Sequence, residues 1–185
     1  MVRVLTTVKL KRGHTAAVQM TAILACALMF CGCAGYKLGP TNGMVAGSKS
    51  VQVNPFVNRV LEQPRLTEYV TSSLRKQLQQ DGTFKLDTHK HGDVVVTGSI
   101  IDYERQHLSF EPRDILTPRD YRIYIVAEVD AQDRSSGKKL LSRRVRGHTT
   151  VRIGGDLVSA ERQAIPLAAE DLARNITALL VDGEW

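Results

Sequence analysis

His89 and His91 are the closely spaced histidine pair of this chain, and Asp93 follows two residues on. Alternate residues of a strand share a face, so both rings would point one way, as a metal site requires. The pair adjoins Gly92 in a turn-like segment and has no third ligand, so a solvated loop is expected and no metal or cofactor is invoked. Cys31 and Cys33 form the second pair. The remaining cysteine is Cys26, too few sulfurs for a structural metal site. Asp102, Glu104, Glu111 and Asp114 supply carboxylates, but no spacing pairs two of them for acid–base work. Ser72-Ser73 falls on a helical pattern without a nucleophile elbow. Gly154-Gly155 is too short to cradle a phosphate and reads as a turn. No catalytic constellation emerges, and the chain is expected not to be an enzyme.

Anion binding is the chemistry that remains. Arg144, Arg146, His148 and Arg152 share one parity on a strand pattern, opposite Val145 and Val151. Arg122 falls on the polar parity of the preceding strand. Arg122, Arg144 and Arg146 are therefore the expected anion contacts, since a guanidinium fork suits phosphate and carboxylate. The competing reading is a solvated sheet face. Nucleic acid is not expected, because no aromatic platform accompanies the patch.

The elements that must position these residues follow from periodicity. Residues 50–57 alternate as a short strand, with Pro55 marking an edge or an end. Pro64–Asp81 has Leu66, Tyr69, Val70, Leu74 and Leu78 at helical spacing, and Asp81-Gly82 stops it. Residues 83–87 suit a further short strand. Residues 93–110 form a long strand with Gly98 at a bend or close contact, and 112–118 read as a turn or loop. Residues 119–133 alternate, with Tyr121, Ile123, Ile125, Ala127 and Val129 facing one way. Arg134-Ser135-Ser136-Gly137 is a hairpin turn, and residues 138–152 return. A second helix spans 159–181, with Ala164, Leu167, Ala168, Leu172, Ile176, Leu179 and Leu180 as its apolar stripe and Glu161 outside. Pro166 predicts that its regular part starts at Ile165. The order β-α-β-β-β-α predicts an α+β two-layer sandwich: a mixed or antiparallel sheet of about four strands with two helices on one face.

The N-terminus reads as an address. Met1 to His14 carries Arg3, Lys9, Lys11 and Arg12 with no acid, and an apolar run to Cys31 follows. That run is shorter than the roughly 20 residues of a spanning helix, and has the order of a secretory signal. Phe30-Cys31-Gly32-Cys33 resembles a lipobox, in which Cys33 receives a diacylglycerol and becomes the new N-terminus. Cys31 is a rival lipidation site. Stable anchoring takes two acyl chains or more, and a triacylated cysteine exceeds that. The expected organisation is a signal peptide over 1–32, a lipidated linker over 33–49, and one α+β domain over 50–185. The signal would carry off four of the 25 cations and none of the 19 acids, so the balance falls from +6 to 21 − 19 = +2. The basic character is then local, not a property of the whole molecule.

Several segments together resemble one family. Cys33-Ala34-Gly35-Tyr36-Lys37-Leu38-Gly39 is similar to the C-G-Y-x-L opening of the LptE lipopolysaccharide-assembly lipoproteins. Val53-Asn54-Pro55-Phe56-Val57-Asn58, Pro64-Arg65-Leu66, and the run from Asp93 through Gly98 to Ile100 resemble its later segments, and so does the closing helix over Ala164–Leu180. The resemblance implies a lipid-anchored protein on the periplasmic face of the outer membrane. There it would plug and help assemble a large β-barrel lipopolysaccharide translocon, and would bind lipopolysaccharide. The alternative is a periplasmic accessory lipoprotein, a binding module of an ABC-type lipid transporter or a cell-wall synthase.

Overall fold

A computed structural model describes residues 45–152 and 156–183. The address segment with Cys31 and Cys33, most of the linker, and Gly154-Gly155 lie outside the described residues. The elements are β1 (Lys49–Val53), β2 (Val57–Asn58), α1 (Leu66–Asp81), β3 (Phe84–Leu86), β4 (Val94–Glu111), β5 (Asp114–Asp133), β6 (Lys139–Arg152) and α2 (Leu157–Val181). They form one sheet in the order β3-β1-β4-β5-β6, with β2 also paired to β4. β1 runs parallel to β3 and β4, and β4, β5 and β6 form an antiparallel meander. The fold is α+β, as expected, with six strands instead of about four.

The extra strands have local causes. Pro55 ends β1, the chain rejoins β4 at Val57, and residues 84–86 add β3 to the far side of β1. β1 is therefore interior, which explains why Gln52 is buried beside Val51 and Val53. Phe56, which shares the parity of Gln52 and Asn54, is buried too. Its ring occupies the space where a Cβ on Gly98 would sit, 2.4 Å away, so Gly98 serves close packing.

α1 buries Leu66, Val70, Thr71, Leu74 and Leu78 on one stripe, and stops at Gly82, whose φ of +74° is the left-handed cap glycine tolerates. Thr71 Oγ1 accepts the Phe56 N–H at 3.1 Å, tying the helix to the chain between β1 and β2. α2 departs from expectation at its start. Asp156 caps it by accepting the Val158 and Ser159 N–H groups at 3.0 and 3.2 Å, so the helix begins at Leu157 and carries Pro166 inside. Its buried stripe includes Ala164, Ile165, Ala168, Ala169, Leu172, Ala173, Ile176 and Leu180, whereas Leu167 is exposed. Glu161, expected outside, is buried. The small alanine side chains let α2 lie close to the sheet. At Gly147 of β6 an added Cβ would fall 2.3 Å from the Leu172 nitrogen.

The segment expected as a loop over 112–118 is mostly strand. β4 and β5 turn through Pro112-Arg113, but Phe110 pairs with Pro118 and Glu111 with Asp114. Three residues of β5 therefore bulge out, and Asp114 gathers the Leu116 N–H and the Thr117 hydroxyl. No helix among the described residues is long and apolar enough to cross a membrane.

Candidate anion-binding strand face

The register of β5 on β6 fixes the candidate site. Arg122 stands opposite Thr150, Tyr124 opposite His148, Val126 opposite Arg146, and Glu128 opposite Arg144. Ile123, Ile125, Ala127 and Val129 fill the core between these positions. The period of two then places Arg122, Arg144 and Arg146 together on the sheet face turned away from the helices.

The three arginines differ in how far they are neutralised. Arg144 Nη2 lies 3.0 Å from Glu128 Oε1. The guanidinium of Arg146 lies 4.7 Å from the centre of the Tyr124 ring, a contact that leaves its charge and its donors available. The Tyr124 hydroxyl donates to Gln106 Oε1 at 3.3 Å, which holds the ring in place. Arg122 has its Nε buried without a hydrogen-bond partner among the described residues. The backbone positions of Arg122 and Arg146 are about 13 Å apart along the strand direction, with Tyr124 between them.

The remaining basic groups of this parity are occupied. Arg152 Nε meets Asp120 Oδ1 at 2.9 Å. The Ser109 hydroxyl, and then Arg152, hold the Asp120 carboxyl below the usual carboxylate range. His148 Nδ1 lies 3.3 Å from Asp171 of α2, and the His148 backbone N–H donates to the same carboxylate at 2.9 Å. Burial pushes Asp171 up, but those contacts and Arg174 outweigh it and hold it below its ordinary value.

Parity alone thus brought the expected residues to one face. It missed Tyr124 as the platform and Glu128 as the neutralising partner. Both carry the same parity, but only the cross-strand register tells which arginine meets which neighbour. His89 and His91 lie exposed in a loop where the Asp87 carboxylate accepts both their backbone N–H groups, at 3.0 and 2.5 Å. Asp102 and Glu104 are exposed on β4 and are not brought together with Glu111 and Asp114 at its tip.

A second polar cluster lies between sheet and helix. Tyr103 on β4 donates its hydroxyl to Glu161 on α2. Arg105 Nε stands 3.5 Å from the same carboxylate, and its other end 3.4 Å from Glu62. Burial, then the bond to Glu161, pushes the Tyr103 hydroxyl far above its ordinary pKa. This cluster anchors the first turns of α2.

The family model described as lipopolysaccharide-assembly, LptE, matches residues 48–180, which is the whole sheet and both helices up to Leu180. The chain belongs to the LptE family. Membership makes it a cell-envelope lipoprotein of lipopolysaccharide assembly. No curated protein matches the chain. Among solved structures, a Xanthomonas campestris protein aligns with a TM-score of 0.57 at 11% identity, covering 79% of this chain and 92% of its own. A hypothetical protein of Chlamydia trachomatis aligns with a TM-score of 0.53 at 14% identity, covering 72% and 95%. At these identities the shared property is the fold. A minor lipoprotein of Acinetobacter baumannii is more distant, with a TM-score of 0.47 at 13% identity over 72% and 92%. In this LptE chain the helices and β1–β4 form the body, and β5 and β6 display the arginines.

Proposed function

We propose that this chain is a non-enzymatic lipoprotein of the outer membrane, anchored through Cys33 on the periplasmic face after removal of residues 1–32. It assists lipopolysaccharide transport as plug and assembly partner of a β-barrel translocon. The family match over residues 48–180 carries this reading. The open strand face supports direct contact with lipopolysaccharide: Arg122 and Arg146, which have no carboxylate partner among the described residues, receive phosphate groups. Arg144 joins them when Glu128 yields it, an exchange of small cost because an exposed ion pair is worth about 1 kcal/mol or less.

Two measurements test this. Tagged full-length chain purified from detergent-solubilised outer membranes should bring down a large β-barrel protein and lipopolysaccharide. Recovery with an inner-membrane transporter or a cell-wall synthase, and no barrel, would favour the accessory-lipoprotein alternative. Replacing both Arg122 and Arg146 by alanine should weaken lipopolysaccharide binding about tenfold or more, since a charge-assisted hydrogen bond contributes roughly 1.5–3 kcal/mol. The loss should shrink at high salt. Unchanged affinity would remove the strand face from the proposal while leaving the barrel partnership to the first measurement.

A further inference from the structure

β6 is the edge strand of the sheet, and α2 covers its edge unevenly. Asn175 Nδ2 donates to the Arg146 carbonyl at 2.9 Å, and Asp171 accepts the His148 N–H. These contacts show that even-numbered residues of β6 turn their backbone groups outward, away from β5. Ser142 and Arg144 have the same parity and are in regular register with Asp130 and Glu128. Their outward N–H and C=O groups have no protein partner among the described residues, so this half of the edge is open.

The open half faces a groove of about 420 Å³ between the start of β6 and the end of α2. Leu140, Leu141, Ser142, Arg143, Ala178 and Leu179 supply most of its lining. Leu140 and Leu179 are only partly buried, so an apolar side chain entering the groove would find apolar surface. The charge that β6 brings to it is one-sided. Residues 138–146 hold Lys138, Lys139, Arg143, Arg144 and Arg146 and no acid. Lys139 and Arg144 are held by Asp130 and Glu128, at 3.9 and 3.0 Å. Lys138 and Arg143 have no carboxylate partner among the described residues. The lining also includes Asp182, at the end of the helix.

We infer that the Leu140–Arg144 edge of β6 is a docking site for an acidic, extended polypeptide segment, which adds to the sheet as a further strand. Backbone hydrogen bonds to Ser142 and Arg144 provide the pairing. One apolar side chain of the segment enters the groove, and acidic side chains two residues to either side of it, on the same face, meet Lys138 and Arg143. Lysine on a bare edge ordinarily discourages pairing with copies of the same chain. The same cations select a partner of opposite charge.

The test uses full-length protein in detergent and two labelled ten-residue peptides with a central valine, one carrying glutamate and the other lysine two residues to either side of that valine. Fluorescence anisotropy should show binding of the glutamate peptide at least tenfold tighter than the lysine peptide. Binding should slow amide exchange at Ser142 and Arg144. Ser142→Pro removes an outward N–H that β5 does not use, and should abolish binding while circular dichroism stays unchanged. Arg143→Glu, which leaves the backbone intact, should weaken binding at least tenfold and so tests the site even if the proline variant folds poorly. Equal binding of both peptides, exchange unaffected at Ser142 and Arg144, or self-association through this edge without peptide binding would each overturn the inference.

Discussion

Single residues decide how firmly α2 is held, and two substitutions probe this. Tyr103→Phe leaves the buried Glu161 carboxylate without its hydroxyl donor, which should cost about 1–3 kcal/mol at neutral pH in urea unfolding. The pH dependence has a definite sign. The folded-state hydroxyl titrates above its ordinary value of 10.0. Its stabilisation is therefore complete below pH 10 and lost as pH rises from there toward the folded-state value. Wild-type stability should fall more steeply above pH 10 than that of the phenylalanine variant, and parallel curves would exclude the coupling. Gly147→Ala acts on the other side of α2. Its Cβ would lie 2.3–2.5 Å from Leu172 backbone atoms, so the helix must shift, at a cost of about 1–3 kcal/mol measured as a lowered unfolding midpoint. The arginine face was legible from strand parity, because parity survives any register. Which arginine stays unneutralised was not legible, since that depends on Tyr124 and Glu128 lying opposite particular residues of β6.

At the scale of elements, Pro166 is a local rule broken inside an otherwise regular helix. It lacks the N–H that would bond to the Arg162 carbonyl, and proline in a helix interior costs about 3 kcal/mol relative to alanine. Asp156 capping and the buried stripe from Ala164 to Leu180 hold the helix despite it. Pro166→Ala should therefore raise the melting temperature by several degrees. A fall would mean that the ring packs better than its partial exposure indicates. The same residue shows why the sequence places the regular part of α2 too late, at Ile165, although the 159–181 span is within two residues: a proline signals a first turn, but the cap lies ten residues earlier. α1 was legible to within two residues because its stripe and Asp81-Gly82 agree. The splitting of the first strand was not, since the interior position of β1 depends on its parallel partners β3 and β4, which no local pattern announces.

At the scale of the whole molecule, the described residues close one sheet face with both helices and leave the other open, and the proposed anion contacts lie on that open face of β5 and β6. The meander also outgrows its support. β6 ends at Arg152 opposite Asp120, leaving residues 109–119 as a two-stranded ribbon that exposes Phe110 and Leu116. Two strands alone are marginally stable in water. Amides of that ribbon should exchange faster than those of 94–100 and 123–131 in the same strands, which hydrogen exchange with mass spectrometry can resolve. Equal protection along β4 and β5 would show that the tip is braced. The parallel pairing of β1 sets an order of assembly. β4 and β5 close through a two-residue turn, whereas pairing Val51 with Val94 must close a loop of about 43 residues. By the logarithmic dependence of closure entropy on length, the second step carries a penalty larger by about 3 kcal/mol. The meander should form first and β1 should dock late, so the first strand in the chain is among the last to join the sheet.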